Sequence, residues 1–378
     1  MDKWKKTIMH MGAYPAALGK WVLLGGIIGV AGGVIGSLFH IGVNYATAIR
    51  GAHPWILYLL PVGGLAIVGL YKLCHLEGKG TNAIIESVHF GESVPILLVP
   101  VIFVSTVITH LCGMSGVFSA LFGTPLTATV FALEVISVGV LYYAGLVPCI
   151  TAAMAAFGVS TLMGVEPTRF AVAMPPVTLE TMVPVVALAI LCAVVSILFC
   201  KGLHWTERLL DRGFRSPWVR VLAGSVLLIG MSLLTNGDYN GAGMDVIARA
   251  LAGEADGWAW LLKILFTAVT IGCGFKGGEV VPSFFVGAAF GCFMGGLLGL
   301  PAGFGGAIGL VAVFCGAVNC PVASVLLSVE LFGSAGAPYF AVACALSYLL
   351  SGYCGLYSSQ TILYSKLRAE FINVRTHE

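Results

Sequence analysis

The chain has 378 residues, 58% of them hydrophobic and 10% charged, with a mean hydropathy of +0.99. This excludes a soluble globular domain and describes a polytopic membrane protein. A formal net charge of +2 is too small to argue for nucleic acid, and 11 cysteines without a Cys-x-x-Cys pair argue for buried thiols rather than a metal or redox centre.

In chain order, Lys3, Lys5 and Lys6 place the start in the cytoplasm by the positive-inside tendency. The first long apolar run, Trp21–Val43, is too long and too Gly-patterned for a cleaved signal. Further spans are expected at 54–73, 94–112, 116–140, 141–163, 180–201, 218–235, 258–274, 282–300, 303–333 and 338–355. Gly and Pro interrupt several of them, as at Phe122-Gly123-Thr124-Pro125, which predicts tilted and re-entrant helices. The tail Lys366–Glu378 reads as short, polar and cytoplasmic. One transmembrane domain over 1–378 is expected, with no soluble regulatory domain.

Two internal matches organise the chain. Gly113, Val117, Phe118, Pro125 and Glu134 recur 196 positions later as Gly309, Val313, Phe314, Pro321 and Glu330. Gly78, Gly80 and Ile84 recur 163 positions later as Gly241, Gly243 and Ile247, a register that carries on to Phe103 and Phe266. Two repeats are therefore expected, about 21–163 and 180–372. The displacements differ by 33, so the first copy lacks a counterpart of Lys276–Ile308, with the gap between Cys112 and Gly113.

That unmatched segment contains the stretch on which a function centres, Gly274-Phe275-Lys276-Gly277-Gly278-Glu279-Val280-Val281-Pro282. A carboxylate between two apolar runs costs about 2.5–3.5 kcal/mol in hydrocarbon unless it faces protein or water. Gly before it and Pro after it break the helix, and a break is tolerated at depth where it lines a cavity. A helix starting near Pro282 would turn free N–H groups and its positive dipole end toward the break, which suits an anion. The bland alternative is a cytoplasmic turn.

Gly78-Lys79-Gly80-Thr81-Asn82 offers similar chemistry at a helix start, or a plain surface turn with Asn82 as N-cap. Gly113-Met114-Ser115-Gly116 resembles the GxSG of rhomboid-type proteases, but the histidines downstream are only His204 and His377, and Ser115 repeats as Val311. Glu134 and Glu330 recur at matched positions, which favours accepting backbone N–H bonds at a buried bend. His40, His89 and His110 stand apart from one another. Tyr357 or Tyr364, both in Leu-Tyr-Ser triplets after the last apolar run, could offer a hydroxyl to an anion.

Together these pieces resemble the CLC family of anion channels and proton-coupled exchangers, over roughly Trp21 to Phe371. Gly78–Asn82 looks like its GSGIP stretch, Gly278–Pro282 like its GxFxP stretch, and Tyr357 like its pore tyrosine. The resemblance implies an all-α CLC-type fold of inverted repeats with tilted and broken helices, and a homodimer with one anion path per subunit. Lys79 replaces the chloride-contacting serine, Val135 replaces the internal proton-relay glutamate, and Glu279 stands at an apolar position of GxFxP. The lost serine and the glutamate resemble the fluoride-exporting branch, which exchanges fluoride for protons. The GREGP/GKEGP motif, with its gating glutamate, is missing and should fall in the gap.

The expected function is transport of halide across the cell membrane, fluoride export coupled to proton entry, without enzymatic activity or cofactor. Lys79 and Gly80 would attract the anion, the Val280 and Val281 amides line its path, Tyr357 donate a hydrogen bond, and Glu279 couple protons or tune selectivity. A chloride channel or exchanger is the same-family alternative. A non-transporting membrane protein is the other, because of the gap.

Overall fold

The structure, a computed structural model, describes residues 2–76, 81–90, 95, 98, 100–102, 104–105 and 123–376. Thirteen α-helices are described. They begin with α1 (Asp2–Ala52), α2 (Leu60–Leu73, entered through a 3-10 turn at Pro54–Leu59), α3 (Thr81–Phe90), α4 (Pro125–Glu134) and α5 (Leu146–Leu162). Then come α6 (Leu179–Gly213), α7 (Pro217–Leu234), α8 (Met244–Leu251) and α9 (Ala259–Gly272). The last four are α10 (Val280–Leu297), α11 (Ala302–Val318), α12 (Pro321–Phe332) and α13 (Ala337–Leu350). The protein is a predominantly helical polytopic membrane protein in architecture. Among the described residues six helical stretches are long and apolar enough to cross a membrane, and shorter apolar helices fill the interior.

Several expected spans are divided differently. The run 303–333 is two helices, because Asn319 caps α11 in the left-handed conformation (φ +58°) and Pro321 opens α12. Within 116–140 the described part is the ten-residue α4 and a short strand. Trp21–Val43 lies inside the far longer α1. Hydropathy reports burial in an apolar medium and does not register a turn of one residue.

Element starts follow the two sequence displacements. Pro54 and Pro217, and Thr81 and Met244, open elements 163 positions apart; Pro125 and Pro321 do so 196 apart. The gap itself and Gly113–Gly116 lie outside the described residues.

α4 and α12 cross-cap each other. Glu134, 6% exposed at the end of α4, accepts from Val322 N (3.1 Å) and Ala323 N (2.9 Å) in the first turn of α12. Glu330 near the end of α12 accepts from Leu126 N (2.9 Å) and Thr127 N (2.8 Å) in the first turn of α4, and from the Thr127 hydroxyl. Each carboxylate thus satisfies orphan N–H groups and the positive dipole end of the other helix.

α10 and α11 meet backbone to backbone. A Cβ at Gly291 would lie 2.3 Å from the Gly305 carbonyl oxygen and 2.8 Å from Gly309 Cα; one at Gly309 would lie 2.2 Å from the Gly287 oxygen. Small residues permit this approach where lipid supplies no hydrophobic drive between helices. Gly291→Leu is expected to leave little monodisperse protein on size-exclusion chromatography, since overpacking against backbone costs about 1–3 kcal/mol or more. Wild-type yield from that variant would contradict the close approach.

The segment after the last helix forms strands. β1 (Ser137–Val138) pairs in parallel with β2 (Thr361–Tyr364), which pairs antiparallel with β3 (Phe371–Arg375). Gln360 Nε2 donates to the carbonyls of Val135 (2.8 Å) and Val318 (3.0 Å), joining both halves of the chain beneath Tyr357.

Candidate functional site

The site is built at the break between α9 and α10. Gly274, at φ +97°, turns the chain out of α9, a conformation that favours glycine over any side chain with a Cβ. Three helices enclose the following segment. A Cβ on Gly64 of α2 would touch the Phe275 ring at 3.1 Å, and Lys276 Nζ lies 4.9 Å over the Tyr71 ring of the same helix. Glu207 and Leu210 of α6 press on Gly272, and Arg220 of α7, ion-paired with Asp211, comes within 3.9 Å of a Cβ on Gly274.

Glu279 is the N-cap of α10, and its side chain does not cap its own helix. The helix starts at Val280, two residues before the expected Pro282. Val280 and Val281 are 5% and 0% exposed. Their N–H groups point out of the first turn, where no intrahelical acceptor exists, and neither donates to a carbonyl among the described residues. The break therefore holds two buried donors beside a partly buried carboxylate. Lys276 attracts the charge on Glu279, and Glu207 repels it.

Tyr357 reaches the same place from the far end of the chain. It is 6% exposed and close enough to Glu279 to interact electrostatically, whereas Tyr364 is 47% exposed on β2 and packs edge-on against Phe371. Of the two tyrosines, Tyr357 is the buried one. The backbone of Tyr357 is fixed by three bonds: Gln360 N (3.0 Å) and the Thr376 hydroxyl (2.6 Å) donate to its carbonyl, and Leu356 N donates to Ala317 O (2.8 Å) just before it. Its own hydroxyl donates to no protein acceptor among the described residues.

Lys79 and Gly80 lie outside the described residues. The helix that follows them does approach Tyr357: Ser359 N donates to Asn82 Oδ1 (3.4 Å) and the Ser359 hydroxyl to Glu86 Oε1 (3.0 Å). Asn82 is thus the second residue of α3 rather than its N-cap. His204 Nε2 is engaged with the Gly355 carbonyl at 3.1 Å.

Sequence reading missed Glu207 and Lys276 as electrostatic neighbours of Glu279. Lys276 lay inside the quoted stretch and could have been weighed. Glu207 carried no signal, because only the packing of α6 on the end of α9 brings it near.

Comparison with known proteins agrees with this layout. A family model described as voltage gated chloride channel matches residues 110–352. A chloride/fluoride channel protein of Pseudomonas syringae pv. tomato is 34% identical over 400 positions, covering 92% of this chain and 88% of that one. Those 400 positions exceed the 378 residues present, so the alignment crosses positions this chain does not fill. A crystal structure of a CLC-type fluoride/proton antiporter superposes with a TM-score of 0.87 at 27% identity, covering 91% of this chain and 98% of that one. A slow cyanobacterial Cl−/H+ antiporter shares the fold, with a TM-score of 0.71 at 16% identity over 88% and 94% of the two chains.

Proposed function

The chain belongs to the voltage gated chloride channel family, and from that premise we propose that it moves small halide anions across a membrane, exporting fluoride in exchange for protons. The observation that carries this reading is the break at Glu279. Two buried, uncommitted amides, Val280 N–H and Val281 N–H, flank a carboxylate in electrostatic contact with the buried Tyr357. Amides and a phenol hydroxyl bind an anion without a neutralising cation, so the ion is held and still released. The carboxylate supplies the proton-carrying group. We assign attraction of the anion to Lys79 and Gly80 as well.

We place the protein in the cell membrane with both termini cytoplasmic, and read it as a transporter rather than an enzyme. We also read it as a homodimer. α5 is apolar and has no buried residue, so a face of it is free for lipid or for a second copy.

A second reading, that the chain keeps the architecture without transporting, is favoured by the unfilled alignment positions. We assign them to the gating-glutamate segment expected between Cys112 and Gly113. Proteoliposomes with fluoride, chloride and pH electrodes separate the readings. Fluoride release with proton uptake, little chloride release, and a particle of twice 39.4 kDa by light scattering are expected. Tyr357→Phe should weaken fluoride transport roughly tenfold, the scale of one lost hydrogen bond to a charged group, while Tyr364→Phe leaves it unchanged. Folded dimers that release neither ion would establish the second reading.

A further inference from the structure

Lys263 on α9 is 2% exposed, and no carboxylate lies within ion-pairing distance of it among the described residues. Its ammonium donates to the carbonyls of Tyr239 (3.1 Å) and Gly241 (2.7 Å) and lies 4.8 Å over the Phe285 ring. An ammonium has three donors, so one is left over.

Arg50, in the last turn of α1, converges on the same point. A Cβ on Gly241 would lie 3.0 Å from its Nη1 and 3.3 Å from its Nη2. Nη1 is buried and has no hydrogen-bond partner among the described residues. Asp245, in the first turn of α8, attracts both cations from beyond ion-pair distance, while the cations repel each other. With Lys263 protonated, two cations face one carboxylate, and a buried charge without a counter-ion is costly.

A cavity adjoins this group, lined by Tyr239, Gly241, Lys263, Thr267, Gly277 and Gly278 among others. The space open to the centre of a water-sized particle is about 10 Å³, enough for one. The Thr267 and Thr270 hydroxyls donate back to their own helix, to Lys263 O and Phe266 O. Among the described residues the Lys263 ammonium is the one charged donor on the lining, and it favours an anion as occupant. Gly277 and Gly278 put the cavity directly against the break that leads to Glu279.

We propose that this cavity is a second anion subsite, holding one monovalent anion of water-like size against the Lys263 ammonium within the field of Arg50. Fluoride is about the size of a water molecule and fits; chloride is larger. The choice of fluoride rests on the proposed transport function, whereas the charge and the unpaired donors do not.

The test is equilibrium binding of fluoride to the purified full-length chain in detergent, by calorimetry or fluorine NMR. It is run on a folded Glu279→Gln/Tyr357→Phe background, where the site at the break is disabled. One saturable fluoride per chain should remain, and adding Lys263→Met should weaken it at least about tenfold, while Lys263→Arg retains it. Where Lys263→Met loses cooperative melting, Arg50→Gln replaces it with the same expectation, since it leaves the carbonyl bonds of Lys263 in place. No residual fluoride, or a residual site indifferent to the folded variants, overturns the proposal. Fluoride bound here in the background variant, together with no fluoride movement by the unmutated chain in proteoliposomes, overturns the transport reading and leaves the subsite standing.

Discussion

Glu279→Gln should reduce pH-driven fluoride movement by about 100-fold or more while the protein still purifies and melts as wild type does. Glutamine preserves the volume and one acceptor oxygen, so the N-terminus of α10 keeps its shape. What it lacks is the ability to gain and lose a proton. Glu279 sits at the mouth of the first turn of α10, between the attraction of Lys276 and the repulsion of Glu207. A 100-fold effect corresponds to about 2.7 kcal/mol, within the range for one essential charge-bearing group. The measurement is fluoride efflux under an imposed pH gradient, with proton flux recorded in the same vesicles. Coupling retained at the wild-type ratio would remove Glu279 from the proton path.

Loss of either carboxylate of the α4–α12 cross-cap should be the largest stability effect away from the ion path. Glu134→Ala leaves Val322 N and Ala323 N without acceptors, and Glu330→Ala does the same to Leu126 N and Thr127 N. Hydrogen bonds to a charged group contribute about 1.5–3 kcal/mol each, so Glu134→Ala should lose roughly 3–6 kcal/mol, and Glu330→Ala, which also takes the acceptor from the Thr127 hydroxyl, at least as much. The matching Gln variants keep one acceptor oxygen and should lose about half of that. Because both carboxylates hold the same helix pair, the double Ala variant should lose less than the two single losses combined. Melting of the purified protein in detergent measures this. A Glu134→Ala melting curve coincident with wild type would show that water replaces the carboxylate at no cost.

The cross-cap also shows how far a sequence can be read. Glu134 and Glu330 stand 196 positions apart in matched contexts, and that recurrence alone marked them as acceptors for backbone N–H groups at a bend. The sequence did not show that each serves the other's helix. A repeat gives two copies of a local pattern; the exchange of partners between copies exists only once α4 and α12 lie side by side.

The same division runs through the site. Gly274, Pro282 and the intervening Glu279 announced a helix break, because a residue that takes positive φ and one that lacks an N–H act on their immediate neighbours. The candidate tyrosines could not be separated until burial put Tyr357 inside and Tyr364 on an outer strand. Asn319 ended α11 with a single left-handed residue inside a continuous apolar run, so hydropathy passed over it.

The sequence by itself determined the membrane class, the helix breaks and the matched positions of the two glutamates. Each rests on a property of one residue or of a short run: transfer cost, backbone freedom, or spacing. Only the tertiary structure decided that Glu207 faces Glu279, that the tail pairs with Ser137–Val138 beneath Tyr357, and that Arg50 and Lys263 meet at Gly241. These are Coulomb and hydrogen-bond terms between groups remote in sequence. Their size depends on distances that helix packing alone sets.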